Sequence, residues 1–117
     1  MQVKEHRSPC PVACTLDLIG DRWTLLIVRD MMLGRCFFSE FAKSPERIAT
    51  NILASRLKLL VAAGIAEVFS APSRPKREGY RLTEKGAELG EIVNAHARWG
   101  LKNIEGTAQK LRPLNAQ

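Results

Sequence analysis

The sequence predicts a mainly α-helical domain with one small antiparallel β-hairpin. Three observations carry that prediction. Apolar residues recur at helical spacing up to Ala63, and a short run of branched and aromatic residues replaces that pattern only after Gly64. A basic stretch with two prolines, Ala71–Gly79, separates two short strand candidates. Thr83, the last residue of the second strand candidate, is a helix-capping residue type ahead of another long helical pattern.

Taken in order, Thr15–Gly20 carries Leu16, Leu18 and Ile19 and predicts a short first helix ended by Gly20. Asp21 is a cap for a second helix, Arg22–Leu33. Trp23, Leu25, Leu26, Ile27, Val28, Met31 and Met32 make that helix apolar nearly all round, which predicts a place in the middle of the core, and Gly34 ends it. Ser39 opens a short amphipathic piece through Lys43. Pro45 stops it, because the residue before proline is driven out of the α region. Ala49–Ala63 is a stronger helix, with Leu53, Leu57 and Leu60 on one stripe and Gly64 as its end. Ile65–Ser70 and Tyr80–Thr83 are the strands, and Ala71–Gly79 is the loop between them. Thr83 starts a last long helix, Glu84 to about Ile104, after which the tail frays. Two helices joined by a short turn, then a hairpin with a basic tip, make a winged helix-turn-helix. At 117 residues the chain is a single domain, 1–117, with its last helix and tail at 84–117.

The formal net charge of +6 is concentrated. Residues 43–81 hold eight basic side chains against three acidic ones, so five of the six excess charges fall in one third of the chain. A concentrated basic stretch in a folded domain is the electrostatic footprint of a polyanion. The Ala49–Ala63 helix sits inside that stretch. Opposite its leucine stripe lie Asn51, Ser55 and Lys58, with Thr50 and Ala54 beside them. Asn can bond adenine bidentately, Ser and Thr reach base edges or phosphates, and Lys adds a phosphate contact. Arg56 lies between the two faces, placed either to reach a phosphate or to lie over a neighbouring helix. Arg74, Lys76 and Arg77 form the candidate wing, stiffened by Pro75 and suited to phosphate or minor groove. The partner these residues imply is double-stranded DNA.

Other classes find little support. No run reaches the ~18 apolar residues of a membrane span, and the first residues have no apolar h-region. Three cysteines without a secretory signal point to the cytoplasm rather than to a disulfide framework. There is no Gly-rich phosphate loop, no nucleophile elbow and no paired-histidine zinc motif, so the expectation is a non-enzyme without cofactor. Cys10 and Cys14 with His6 fall short of a zinc site, and no metal is expected. A non-specific architectural nucleic-acid-binding module remains the alternative function; it would share the basic wing and lose sequence discrimination.

Several segments together resemble the HxlR-type family of bacterial winged helix-turn-helix, MarR-like transcription regulators. They are Cys10-Pro11-Val12, Thr15 through Ile27, Arg29-Asp30, Phe38-Ser39-Glu40-Phe41, Asn51-Ile52-Leu53, Arg56 through Leu60, Tyr80 through Gly86, and Trp99-Gly100. The resemblance covers about residues 9–102. It implies a homodimer on a pseudo-palindromic operator, acting as a repressor. Some members sense oxidants or reactive electrophiles through a cysteine near the N-terminus, and Cys10 stands at the matching place. Cys10 also precedes a helix and has Lys4 and Arg7 nearby, which suits a sensor thiol, while an inert buried thiol is the other reading. Many relatives have Ser-Pro where this chain has Ala49-Thr50.

The last helix carries two apolar stripes: Leu89, Ile92, His96 and Trp99, and beside it Val93, Ala97, Leu101 and Ile104. One stripe suffices for its own domain. The second, with Leu16 in the N-terminal segment, predicts a two-fold interface with another copy.

Overall fold

The computed structural model of the chain describes residues 7–72, 74–109, 111 and 113. Among the described residues, six helices and two strands follow in the order α1 (Pro11–Ile19), α2 (Thr24–Met32), α3 (Phe38–Ala42), α4 (Thr50–Ala62), β1 (Ala66–Ala71), β2 (Arg74–Leu82), α5 (Glu84–Ala87) and α6 (Gly90–Asn103). This is the expected winged helix-turn-helix, with five boundaries or placements corrected.

The first helix starts four residues before the expected Thr15. Pro11 occupies its first turn, where the missing N–H costs nothing and the fixed φ favours entry. The Cys14 N–H closes the first turn on the Cys10 carbonyl at 3.0 Å. The second helix begins two residues later than expected. Asp21 does cap it: its carboxylate accepts from the N–H groups of Trp23 at 3.0 Å and Thr24 at 3.1 Å, and from the Thr24 hydroxyl. The helix is not sunk on all sides. Ile27, Val28 and Met31 are buried, whereas Leu25 and Leu26 are half-buried and Met32 is exposed. Its second apolar flank faces a groove shared with α6.

The core gathers Ile27, Val28 and Met31 of α2, Phe41 of α3, Leu53, Leu57 and Leu60 of α4, and Ile48, Ile65 and Ala66. Phe41 meets Tyr80 edge-to-face at 6.5 Å, locking α3 against β2. Gly64, at φ +75°, takes the left-handed turn that ends α4.

The hairpin is longer than expected. Residues 74–79, read as loop, are strand: β1 pairs antiparallel with β2 from Ala66 opposite Leu82 to Ser70 opposite Glu78. The register then jumps, so that Ala71 faces Arg74. Pro75, Lys76 and Arg77 fall in that jump, a bulge where proline's missing ladder donor is tolerated. The Tyr80 N–H donates to the Cys36 carbonyl at 2.8 Å, tying the wing to the loop before α3.

The last long helix is two helices. Thr83 caps α5 as expected, its hydroxyl accepting from the Gly86 N–H at 3.0 Å. A Cβ on Gly86 would overlap the Ile65 carbonyl oxygen, so α5 packs backbone to backbone on the end of β1. The Leu89 N–H then bonds the Gly86 carbonyl three residues back, and the helix restarts at Gly90. No residue of α6 is fully buried. Leu89 and Val93 pack on the core, while Trp99, Leu101 and Ile104 stay exposed, at 62%, 46% and 51%.

Candidate nucleic-acid interface

The leucine stripe of α4 anchors it and leaves its opposite face to solvent. Thr50, Asn51, Ala54, Ser55 and Lys58 are all exposed on that face. Thr50 and Asn51 form the first turn, and no side chain caps it, since the preceding residue is Ala49. Uncapped N–H groups at a helix start favour a phosphate oxygen. The small side chains of Ala54 and Ser55 leave room for close approach to a groove wall. Four of the five α4 residues singled out from the sequence therefore share one free surface.

Arg56 does not share it. Its Nε donates to Asp21 Oδ2 at 3.1 Å, and its Nη1 donates to Ser55 Oγ at 3.4 Å. The guanidinium thus bolts α4 to the cap of α2. Burial pushes the Asp21 carboxyl up. Hydrogen bonds from the Thr24 hydroxyl, the two backbone N–H groups and Arg56 outweigh that, and the group sits below the usual carboxylate range.

A second clamp fixes the turn between α3 and α4. The Arg29 guanidinium donates to Glu46 through Nη1 at 2.9 Å and Nη2 at 2.8 Å. It also donates to Asp30 Oδ1 from Nε at 3.1 Å and from Nη2 at 2.9 Å. The other Asp30 oxygen accepts from the Ser44 hydroxyl. One arginine of α2 therefore holds both sides of the turn that delivers α4. Its hydrogen bonds keep Glu46 below the ordinary carboxylate range against burial, and Glu46 in turn raises the guanidinium. Arg47, within this turn, adopts φ +56°, the left-handed region. Sequence reasoning did not assign a role to Arg29, Asp30, Ser44 or Glu46. The available signal was an Arg-Asp pair inside an otherwise apolar helix, since charges there demand partners.

The wing is secured in the same manner. Arg77 stacks on the Phe37 ring, its Cζ 4.1 Å from the centroid, and donates to the Ser39 hydroxyl. Glu40 reaches back to the N–H groups of Cys36 at 2.9 Å and Phe37 at 3.0 Å, fixing the start of α3 beneath it. The Arg74 and Lys76 side chains lie outside the described residues, so only their backbone, in β2, is placed.

Cys10 is exposed at the N-cap of α1, where its N–H donates to Ser8 Oγ at 2.9 Å. Cys14 is half-buried, its thiol donating to the Ser8 carbonyl at 3.2 Å, and Cys36 is half-buried. Arg7, expected near Cys10, donates to Asp17 at 2.7 Å, while Lys4 and His6 lie outside the described residues. Leu16, on α1, is 54% exposed, and Ala97 is half-buried beside Val93 on α6. No described helix is long and apolar enough to cross a membrane.

The sequence model of the HxlR-like helix-turn-helix family matches residues 18–108. The chain belongs to that family. It is a family of helix-turn-helix transcriptional regulators. Among its relatives, the uncharacterized HTH-type transcriptional regulator Mb3122 of Mycobacterium bovis is 38% identical over 104 residues, covering 86% of this chain. The chain spans 65% of that relative's length. Among solved structures, PA1607 superposes with a TM-score of 0.79 at 39% identity, covering 95% of this chain and 80% of the other. The redox regulator HypR in its oxidized form gives a TM-score of 0.74 at 34% identity, covering 82% of this chain and 99% of HypR.

Proposed function

We propose that this chain is a sequence-specific, DNA-binding transcriptional regulator that acts as a homodimeric repressor on a pseudo-palindromic operator. The observation that carries the proposal is the exposed Thr50–Asn51–Ser55–Lys58 face on a helix whose angle is fixed twice, by Arg56 on Asp21 and by Arg29 on the preceding turn. A rigid helix presenting amide, hydroxyl and ammonium groups at its N-terminal half is what base readout in a major groove needs. Asn51 and Thr50 read bases, Ser55 and Lys58 contact base edges and backbone, and the wing residues Arg74 and Lys76 hold flanking phosphates. Arg56 and Arg77 position the two elements.

The second copy packs against α6 and α1. Leu16, Val93, Ala97, Leu101 and Ile104 supply apolar area that the single chain leaves wholly or partly uncovered. Gly100 supports this. A helix-interior glycine costs roughly 0.5–1 kcal/mol against alanine, and a Cβ there would meet no atom within 4 Å in the chain itself. A close neighbour from a second copy supplies the missing reason. Cys10, exposed at the start of α1, then lies beside the dimer face, so its oxidation or alkylation would reach the spacing of the two recognition helices. HypR, similar in fold, is a redox regulator.

The test is fluorescence anisotropy on the DNA upstream of the protein's own gene against random DNA, across a salt series, with reduced and diamide-treated protein. Preference for the upstream DNA, altered by diamide and restored by Cys10→Ser, is the expected result. Equal, steeply salt-dependent binding to both DNAs would instead identify an architectural module.

A further inference from the structure

Of the eight basic side chains in residues 43–81, the fold commits three. Arg56 is held by Asp21, Arg77 by Phe37 and Ser39, and Arg81 by Glu67 at 2.8 Å and by the Phe69 ring. The Arg74 and Lys76 side chains lie outside the described residues. Lys43, Arg47 and Lys58 are exposed, and their side chains make no hydrogen bond or ion pair among the described residues. Arg47 differs from the other two in its backbone. At φ +56° it is the one described non-glycine residue with a positive φ. Glycine or asparagine takes that region at little cost, whereas an arginine is strained there. The turn around it leaves no choice. The Arg47 N–H donates to the Ser44 carbonyl at 3.0 Å. The Ser44 side chain is tied to Asp30 and that of Glu46 to Arg29, and Ile48, directly after, sits in the core. The backbone of Arg47 is therefore fixed from both sides while its side chain stays in solvent. At most about 10 Å of chain separates it from Thr50.

Strain kept at a fixed position beside a working surface implies a role for the side chain that bears it. We propose that Arg47 is a further DNA contact, pairing with a backbone phosphate at the rim of the groove that α4 enters. The proposal rests on the DNA-binding reading above and adds a residue to it. In a helix-turn-helix the first helix of the pair crosses the backbone and the second lies in the groove, so the turn between α3 and α4 passes the phosphates. A guanidinium at that point suits a phosphate bidentately. The contact reads no bases itself; it sets the register at which Thr50 and Asn51 meet base edges. Glycine at this position would relieve the strain and forfeit the contact, so stability and DNA affinity move in opposite directions.

Anisotropy on a random-sequence duplex across a salt series, paired with urea unfolding of each protein, tests the proposal. In Arg47→Gly the urea midpoint should equal or exceed that of the wild type. Its DNA affinity should fall about five- to tenfold near 0.1 M salt, and the slope of log affinity against log salt should drop by about one. Arg47→Lys keeps the charge and should keep the slope. Arg98→Ala removes one exposed charge from α6, outside the basic stretch, and should leave the slope as it is. An unchanged slope in Arg47→Gly overturns the proposal, as does an equal drop in Arg98→Ala or in Arg47→Lys. A lowered urea midpoint in Arg47→Gly also overturns it, because the arginine would then be serving the fold. Wild-type protein that binds neither this duplex nor the DNA upstream of its own gene overturns the DNA-binding reading itself, and the Arg47 contact with it.

Discussion

Replacing Arg29 with methionine isolates the clamp beneath α4. Methionine keeps the stem and removes the charge. Asp30 would then keep one donor, the Ser44 hydroxyl, and lose both N–H donors on Oδ1. Its side chain is 3% exposed, so water cannot replace them. Leaving a buried carboxylate without its counter-charge costs about 3–5 kcal/mol. The Glu46 half of the network is more exposed and adds at most about 1 kcal/mol. The expected loss is about 3–6 kcal/mol, a large share of the roughly 5–15 kcal/mol typical of a domain. Urea unfolding followed by far-ultraviolet circular dichroism at neutral pH measures it, with an unchanged m-value as the sign that stability alone has moved. The double variant Arg29→Met/Asp30→Asn should recover about 2 kcal/mol, because a neutral amide tolerates burial where a lone carboxylate does not. A loss under about 1 kcal/mol, or no recovery in the double variant, would refute the view that this arginine compensates a buried charge.

Three further outcomes follow from the same geometry. Lys58→Ala should lower the slope of log affinity against log salt by about one, as loss of one phosphate contact does, whereas Arg56→Ala should weaken operator binding with the slope unchanged; anisotropy at four salt concentrations separates the two. Asp21, Glu40 and Glu46 all sit below the usual carboxylate range: burial pushes Asp21 and Glu40 up but their hydrogen bonds outweigh it, and hydrogen bonds from Arg29 pull Glu46 down. A depressed acid contributes stability above its unfolded pKa and loses it as pH falls through the folded one, so the urea midpoint should hold above about pH 4 and drop below it, more shallowly in Asp21→Asn. Gly86→Ala should cost about 3 kcal/mol or more, since its Cβ overlaps the Ile65 carbonyl, while Gly100→Ala should raise the monomer's stability by about 0.5–1 kcal/mol and weaken self-association in sedimentation.

The fold was legible because its punctuation is local. Gly34 and Gly64 take left-handed turns where the helices end, and Asp21 and Thr83 cap where a carboxylate and a hydroxyl precede apolar patterns. The misplacements came where local signals competed. Two prolines and a glycine argued for a loop at residues 71–79, yet a ladder with one irregularity absorbs Pro75. Helical spacing runs unbroken through residues 84–104, whereas α5 ends at Ala87, next to the approach of Gly86 to the Ile65 carbonyl twenty-one residues upstream. Periodicity registers a pattern's existence; it cannot register a backbone collision with a distant strand.

The interface divides along the same line. Thr50, Asn51, Ser55 and Lys58 were legible because the face opposite a leucine stripe has to be solvent-exposed. The two readings of Arg56, a phosphate contact or a place over a neighbouring helix, were not separable from the helix pattern. What separates them is Asp21, thirty-five positions earlier, whose carboxylate lies within 3.1 Å of Arg56. Arg77, read from sequence as a wing residue suited to phosphate or minor groove, lies over Phe37 and donates to Ser39. In each case a long flexible cation is spoken for by an acceptor or a ring that only the tertiary fold brings near. A basic stretch read from sequence therefore overcounts unengaged charges: Arg56 meets Asp21 and Ser55, and Arg77 meets Phe37 and Ser39, within the fold itself.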